Sequence, residues 1–163
     1  MCKATDTDVA TAITQWIANQ SVETDLSGWT GLYSSRSAIT RATGDGYLSS
    51  ASLQVANKGT ARGAAGVNAK PRPVTATTSG TPYTATVWVR GQTAGQVLYL
   101  QLKEYRPGGA TVAARNVRYQ LPDTNWHQLS VTYSAASAGD QLAMSIYCGN
   151  LAPRPGSTPT RCA

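Results

Sequence analysis

The stretch VLYLQLKEY, residues 97–105, decides the fold. Leu98, Leu100 and Leu102 fall on every second position, and between them stand Tyr99, Gln101, Lys103 and Tyr105. Side chains of an extended chain alternate between two faces, so this period of two describes a strand with one leucine face and one face of aromatic and polar groups. The leucine face belongs in a core. Two further stretches share the pattern. In PYTATVWVR (82–90), Tyr83, Ala85, Val87 and Val89 form the core set, which leaves Thr84, Thr86, Trp88 and Arg90 on the other face. In QLAMSIYC (141–148), Leu142, Met144 and Ile146 point inward and Ala143, Ser145 and Tyr147 outward.

Outward from these segments the rhythm is steady. Short runs suited to strands are separated by Gly, Asp, Asn or Pro. Strands are expected at 29–33, 36–42, 51–57, 63–69, 82–91, 96–106, 111–120, 126–134 and 141–148. About nine strands at this spacing, with no helical segment between them to carry a parallel crossover, indicate an all-β, two-sheet antiparallel β-sandwich of the jelly-roll kind. Residues 7–20, TDVATAITQWIANQ, are ambiguous between helix and strand. The β-branched Val9, Ile13 and Ile17 favour strand.

Composition agrees. The 163 residues suit a single domain spanning 1–163, and charged residues are only 13% of the chain, too few to coat helix surfaces. The net charge of +6 is carried largely by ten Arg that are scattered, so no basic arm for nucleic acid is seen. No signal peptide and no membrane-length apolar run is visible, and the initial Met reads as a start placed on a mature domain. Of three cysteines, Cys148 and Cys162 bracket a loop rich in Pro and Gly. A disulfide tying 148–163 makes physical sense there and implies an oxidising, secreted setting; Cys2 is then either free or a competing partner.

Nothing in the chain marks an enzyme. The lone histidine, His127, is expected as an exposed strand residue, and no nucleophile elbow, His-Glu-x-x-His or phosphate loop is present. A glycosidase needs two facing carboxylates, and Glu104, at the end of its strand, is expected to be solvated.

The segment NQSVETDLSGWT (19–30) resembles the opening motif of carbohydrate-binding modules of families 4, 9 and 22. SSASLQV (49–55), GTPYTATVWVRG (80–91) and TNWHQLSVTYSA (124–135) resemble three later motifs of that family, in order. Three departures stand out. Val22 replaces the usual Phe, Ser49 replaces a Gly, and no closing strand precedes the carboxyl end. CKATDTDVAT (2–11) resembles that missing strand, so residues 1–20 are expected to supply it, as in a circularly permuted module or one cut from a tandem array.

The resemblance implies a galactose-binding-like sandwich and a structural calcium site. Glu23 matches the family's glutamate, with Ser50 and Asp8 as the other candidate ligands; calcium takes such hard oxygens. It also implies a polysaccharide as partner. A sugar presents apolar faces and a rim of hydroxyls, which call for aromatic platforms beside amides and cations. Trp88, Arg90, Tyr99, Gln101, Lys103, Tyr105 and Tyr147 are the candidate ligand-binding residues, with Tyr33 and Tyr47 at the rim. The expectation is a non-catalytic module of a larger secreted protein. The alternative is a structural or adhesive sandwich, as in a phage or surface protein, which would hold if Trp88, Tyr99 and Gln101 were covered. Binding of an anionic polymer through the Arg-rich surface is a third reading.

Overall fold

The structure is a computed structural model and describes residues 17, 19–47 and 49–153. Among the described residues nine strands form: β1 (Trp29–Leu32), β2 (Ser37–Thr43), β3 (Ala51–Asn57), β4 (Gly63–Ala69), β5 (Pro82–Val89), β6 (Val97–Tyr105), β7 (Thr111–Gln120), β8 (His127–Ser134) and β9 (Gln141–Leu151). None is displaced from its expected place by more than a few residues. β9 runs on to Leu151 because the chain resumes pairing there, Gly63 opposite Leu151, past a register shift in β4. The buried Asn57 fixes that end, its amide nitrogen donating to the Leu151 carbonyl at 2.8 Å.

One sheet has five strands in the order β1-β4-β9-β6-β7, and the other layer consists of two antiparallel pairs, β2-β3 and β5-β8. All six ladders between these strands are antiparallel. β6 and β7 are joined by a tight turn closed by Arg106 and Ala110, with Gly109 at φ 88°, a conformation that glycine adopts without strain.

The core lies between the layers. Leu98, Leu100 and Leu102 of β6 join Met144 and Ile146 of β9, Val67 of β4, Leu53 and Val55 of β3, Val89 of β5, and Leu129 and Val131 of β8. Burial of each such side chain is worth about 1.5–3 kcal/mol. The leucine phase read from VLYLQLKEY is the observed one.

Two expectations are corrected here. Glu104 is not solvated. It continues the inward phase of Leu98, Leu100 and Leu102 and is 0% exposed. The Tyr133 hydroxyl and the backbone N–H groups of Ala136 and Ser137 donate to its carboxylate. Burial opposes its ionisation, but those three donors outweigh burial and hold its pKa below the ordinary value. His127 is half-buried, not exposed: Nε2 lies 2.8 Å from Asp123 and Nδ1 3.3 Å from the Tyr119 hydroxyl. Of the ambiguous amino-terminal segment, residues 7–16 lie outside the described residues, as do Asp8, Cys2 and Cys162, whereas 19–21 form a turn.

Candidate functional site

The outer face of the five-stranded sheet carries two rows of side chains that the strand register sets side by side. One row runs Thr30, Asn68, Ser145, Gln101, Asn116 across β1, β4, β9, β6 and β7. Its members bond laterally: Ser145 Oγ donates to Asn68 Oδ1 at 2.6 Å, and Gln101 Nε2 donates to Asn116 Oδ1 at 2.7 Å. The neighbouring row runs Leu32, Gly66, Tyr147, Tyr99, Arg118. Tyr147 and Tyr99 stack with ring centroids 4.9 Å apart and an interplanar angle of 11°. Burial, then the nearby Tyr33 and Tyr99, push the Tyr147 phenol up.

A groove of about 650 Å³ opens over this face. Its floor is the Asn68–Ser145–Gln101 row, and Tyr33 and Tyr147 stand at one end. Lys103, Tyr105 and Gln141 lie toward the other, and the segment after β4, with Lys70, Pro71 and Arg72, forms a wall. The Arg72 guanidinium lies 4.0 Å from the Tyr105 ring centroid, and its Nη1 donates to Gln141 Oε1. Lys103 Nζ lies 5.1 Å from the same ring. From Gln141 to Tyr147, both of which line the groove, β9 runs about 20 Å at ~3.3 Å per residue, with Tyr99 flanking the Tyr147 end.

Of the candidate ligand-binding residues, Tyr99, Gln101, Lys103, Tyr105 and Tyr147 therefore come together. Trp88 and Arg90 do not, and the expected grouping is corrected. Their phase was read as observed, but β5 pairs with β8 in the other layer, so their outward face is the opposite surface of the sandwich. There Tyr47 stacks on Trp88, centroids 3.8 Å apart. Arg90 pairs with Asp45 and lies 5.2 Å from the Trp126 ring centroid. Tyr33 rims the groove; Tyr47 instead covers Trp88. The groove residues missed from sequence are Asn68, Lys70, Arg72 and Ser145. Asn68 and Ser145 carried a signal, each being an outward polar position on a strand.

At the other candidate site, Glu23 and Ser50 meet although 27 residues separate them. Ser50 N donates to Glu23 Oε1 at 2.9 Å, and the Ser50 hydroxyl donates to Oε2. These bonds hold the Glu23 carboxyl below its ordinary pKa. Arg41 clamps the same turn, Nε donating to the Val22 carbonyl at 2.6 Å and Nη2 to that of Glu23. Among the described residues no three His, Cys, Asp or Glu side chains gather to hold a metal. Glu23 and Ser50 offer hard oxygens of the kind calcium takes.

The outer face of the sandwich thus carries a long groove floored by amides and hydroxyls and ended by tyrosines, groups that hydrogen-bond and stack on polar ligands. The chain matches the carbohydrate-binding domain shared by families 4 and 9 over residues 14–158, and it belongs to that family of non-catalytic carbohydrate-binding domains. No curated protein sequence matches it. Among solved structures, the CBM22-2 xylan-binding domain of Paenibacillus barcinonensis Xyn10C aligns with a TM-score of 0.56 and 13% identity, over 88% of this chain and 94% of that one. A Clostridium thermocellum xylanase 10B fragment, carrying CBM22-1 and GH10 modules in complex with xylohexaose, aligns at 0.60 and 17%, over 84% and 28%. An arabinose-bound family 51 α-L-arabinofuranosidase aligns at 0.61 and 13%, over 84% and 26%. The chain thus spans about a quarter of each of these two larger proteins.

Proposed function

We propose that the chain binds a polysaccharide lengthwise in the groove on the outer face of the five-stranded sheet. The observation that carries this is the stacked Tyr99–Tyr147 pair beside the polar row Asn68–Ser145–Gln101–Asn116. The tyrosines offer flat apolar surface to the C–H faces of a sugar, and the row offers donors and acceptors to its hydroxyls. The groove is preformed, so little conformational entropy is lost on binding.

Affinity electrophoresis against a panel of plant and microbial glycans tests this. Retardation of the wild type on at least one glycan, lost in Tyr99→Ala and Tyr147→Ala and kept in Trp88→Ala, is the expected result. Unchanged mobility on every glycan would count against it.

The same reading includes a structural calcium, with Glu23, Ser50 and Asp8 as the candidate ligands, and a disulfide between Cys148 and Cys162. Both suit a module of a larger secreted protein. Their support is the Glu23–Ser50 clasp and the burial of Cys148 in β9, ahead of the Pro- and Gly-rich segment.

A further inference from the structure

We propose that the groove selects acidic polysaccharides, those carrying uronate carboxylates. The inference rests on the groove being the glycan site. Three cations, Lys70, Arg72 and Lys103, line it, and Arg118 stands beside Tyr99 on the same face. Among the described residues, no aspartate or glutamate lines it. The described carboxylates are all committed elsewhere. Glu23 bonds Ser50, Asp25 bonds Ser27, Asp45 pairs with Arg90, Asp123 contacts His127, and Glu104 and Asp140 are buried. The groove is therefore a strip of one sign.

Two of its cations are held in place. Arg72 rests on the Tyr105 ring and on Gln141, and Lys103 is half-buried next to the same ring. A guanidinium whose position is already fixed loses little freedom on meeting a carboxylate, and its planar fork matches that partner with two parallel bonds. A neutral glycan gives these cations only hydroxyl oxygens.

The test uses the full chain and three uronate polymers, polygalacturonate, alginate and hyaluronate, each compared with its carboxyl-reduced form by calorimetry at two salt concentrations. Dextran sulfate serves as the sulfate arm. At least one uronate polymer is expected to bind tenfold or more tightly than its reduced form, and Arg72→Gln/Lys103→Gln to remove that difference. Lys58→Gln/Arg62→Gln, with the same change in charge away from the groove, is expected to leave it intact. Tighter binding of dextran sulfate than of every uronate, or equal loss in the two double variants, overturns the inference. Binding of neutral polymers with no gain from carboxylates overturns it too but leaves the polysaccharide reading standing. Binding of no glycan of either kind sinks both.

Discussion

Tyr147 stacks on Tyr99 across the β6–β9 ladder, where the two are register partners on the outer face of the sheet. They can stand at that spacing because cross-strand neighbours on one face lie within contact distance, and stacking at an offset adds to simple burial. Neither ring is part of the core, so removal of one changes the groove more than the fold. Tyr147→Ala is expected to weaken glycan binding about tenfold or more, roughly 1.4 kcal/mol per decade. Its thermal midpoint should stay within a few degrees of the wild type. Calorimetry and circular dichroism on the same sample check both halves.

Trp88→Ala should behave in the opposite way. Trp88 lies under Tyr47, beside the Arg90–Asp45 pair, on the far side of the sandwich. Its loss leaves a hole in that cluster, at a cost of about 1–3 kcal/mol. For a chain of this length that lowers Tm by roughly 2–4 °C per kcal/mol. Affinity for the glycan should not change. A loss of binding without a loss of stability would return Trp88 to the site.

The contrast between Tyr99 and Trp88 shows what was legible in the sequence. Alternation along one strand gave the correct inward and outward sets for β5, β6 and β9, because a period of two is a property of the strand alone. Which outward sets share a surface depends on strand pairing. β5 lies beside β8, not β6, and no local pattern carries that information. Arg72 escaped notice because it sits in an irregular segment after β4, where periodicity says nothing. Glu104 fell in the inward phase of three leucines, but its charge argued for water. The donors that make its burial tolerable come from Tyr133, Ala136 and Ser137, about 30 residues on.

Glu104 makes stability depend on acid. Its folded pKa is depressed, so the carboxylate contributes stability in full above its unfolded value, near 4.5. That contribution is lost as pH falls through the lower folded value. Glu104→Gln puts an amide N–H₂ among groups that are themselves donors, and should cost about 2–4 kcal/mol at pH 7. Urea titrations at pH 7, 5, 4 and 3 should show the gap between wild type and variant narrowing only in the acid samples. A constant gap across that range would mean that the charge of Glu104 contributes nothing. The same burial and carboxylate push the Tyr133 phenol up from 10.0 to about 12, so the stability its protonated hydroxyl contributes is full below the ordinary value and is lost as pH rises from there toward the folded one.

Calcium should act through Glu23. If Glu23 and Ser50 hold an ion, millimolar calcium raises Tm over that in a chelator, by mass action on the folded state. Glu23→Gln should abolish the difference, while Tyr147→Ala keeps it. Equal melting in calcium and chelator would remove the ion and leave the Glu23–Ser50 bonds as a plain clasp between the turn ahead of β1 and the start of β3.

Gly66 ties the sheet to the groove. It lies opposite Tyr147, and a Cβ there would sit 2.3 Å from the Ile146 carbonyl oxygen and 2.7 Å from the Tyr147 Cα. Both are backbone atoms, so no side-chain rotation relieves the clash, and β4 must move away from β9. Gly66→Ala is expected to cost about 1–3 kcal/mol, as overpacking does. The displacement should also tilt Tyr147 away from Tyr99 and weaken glycan binding, although residue 66 offers a ligand no side chain. Gly66→Ala combined with Tyr147→Ala then separates the two effects. The added methyl should weaken binding less in the Tyr147→Ala background than in the wild type, because the ring it displaces is already gone. Equal losses in both backgrounds would show that Gly66 acts on the groove by a route other than Tyr147.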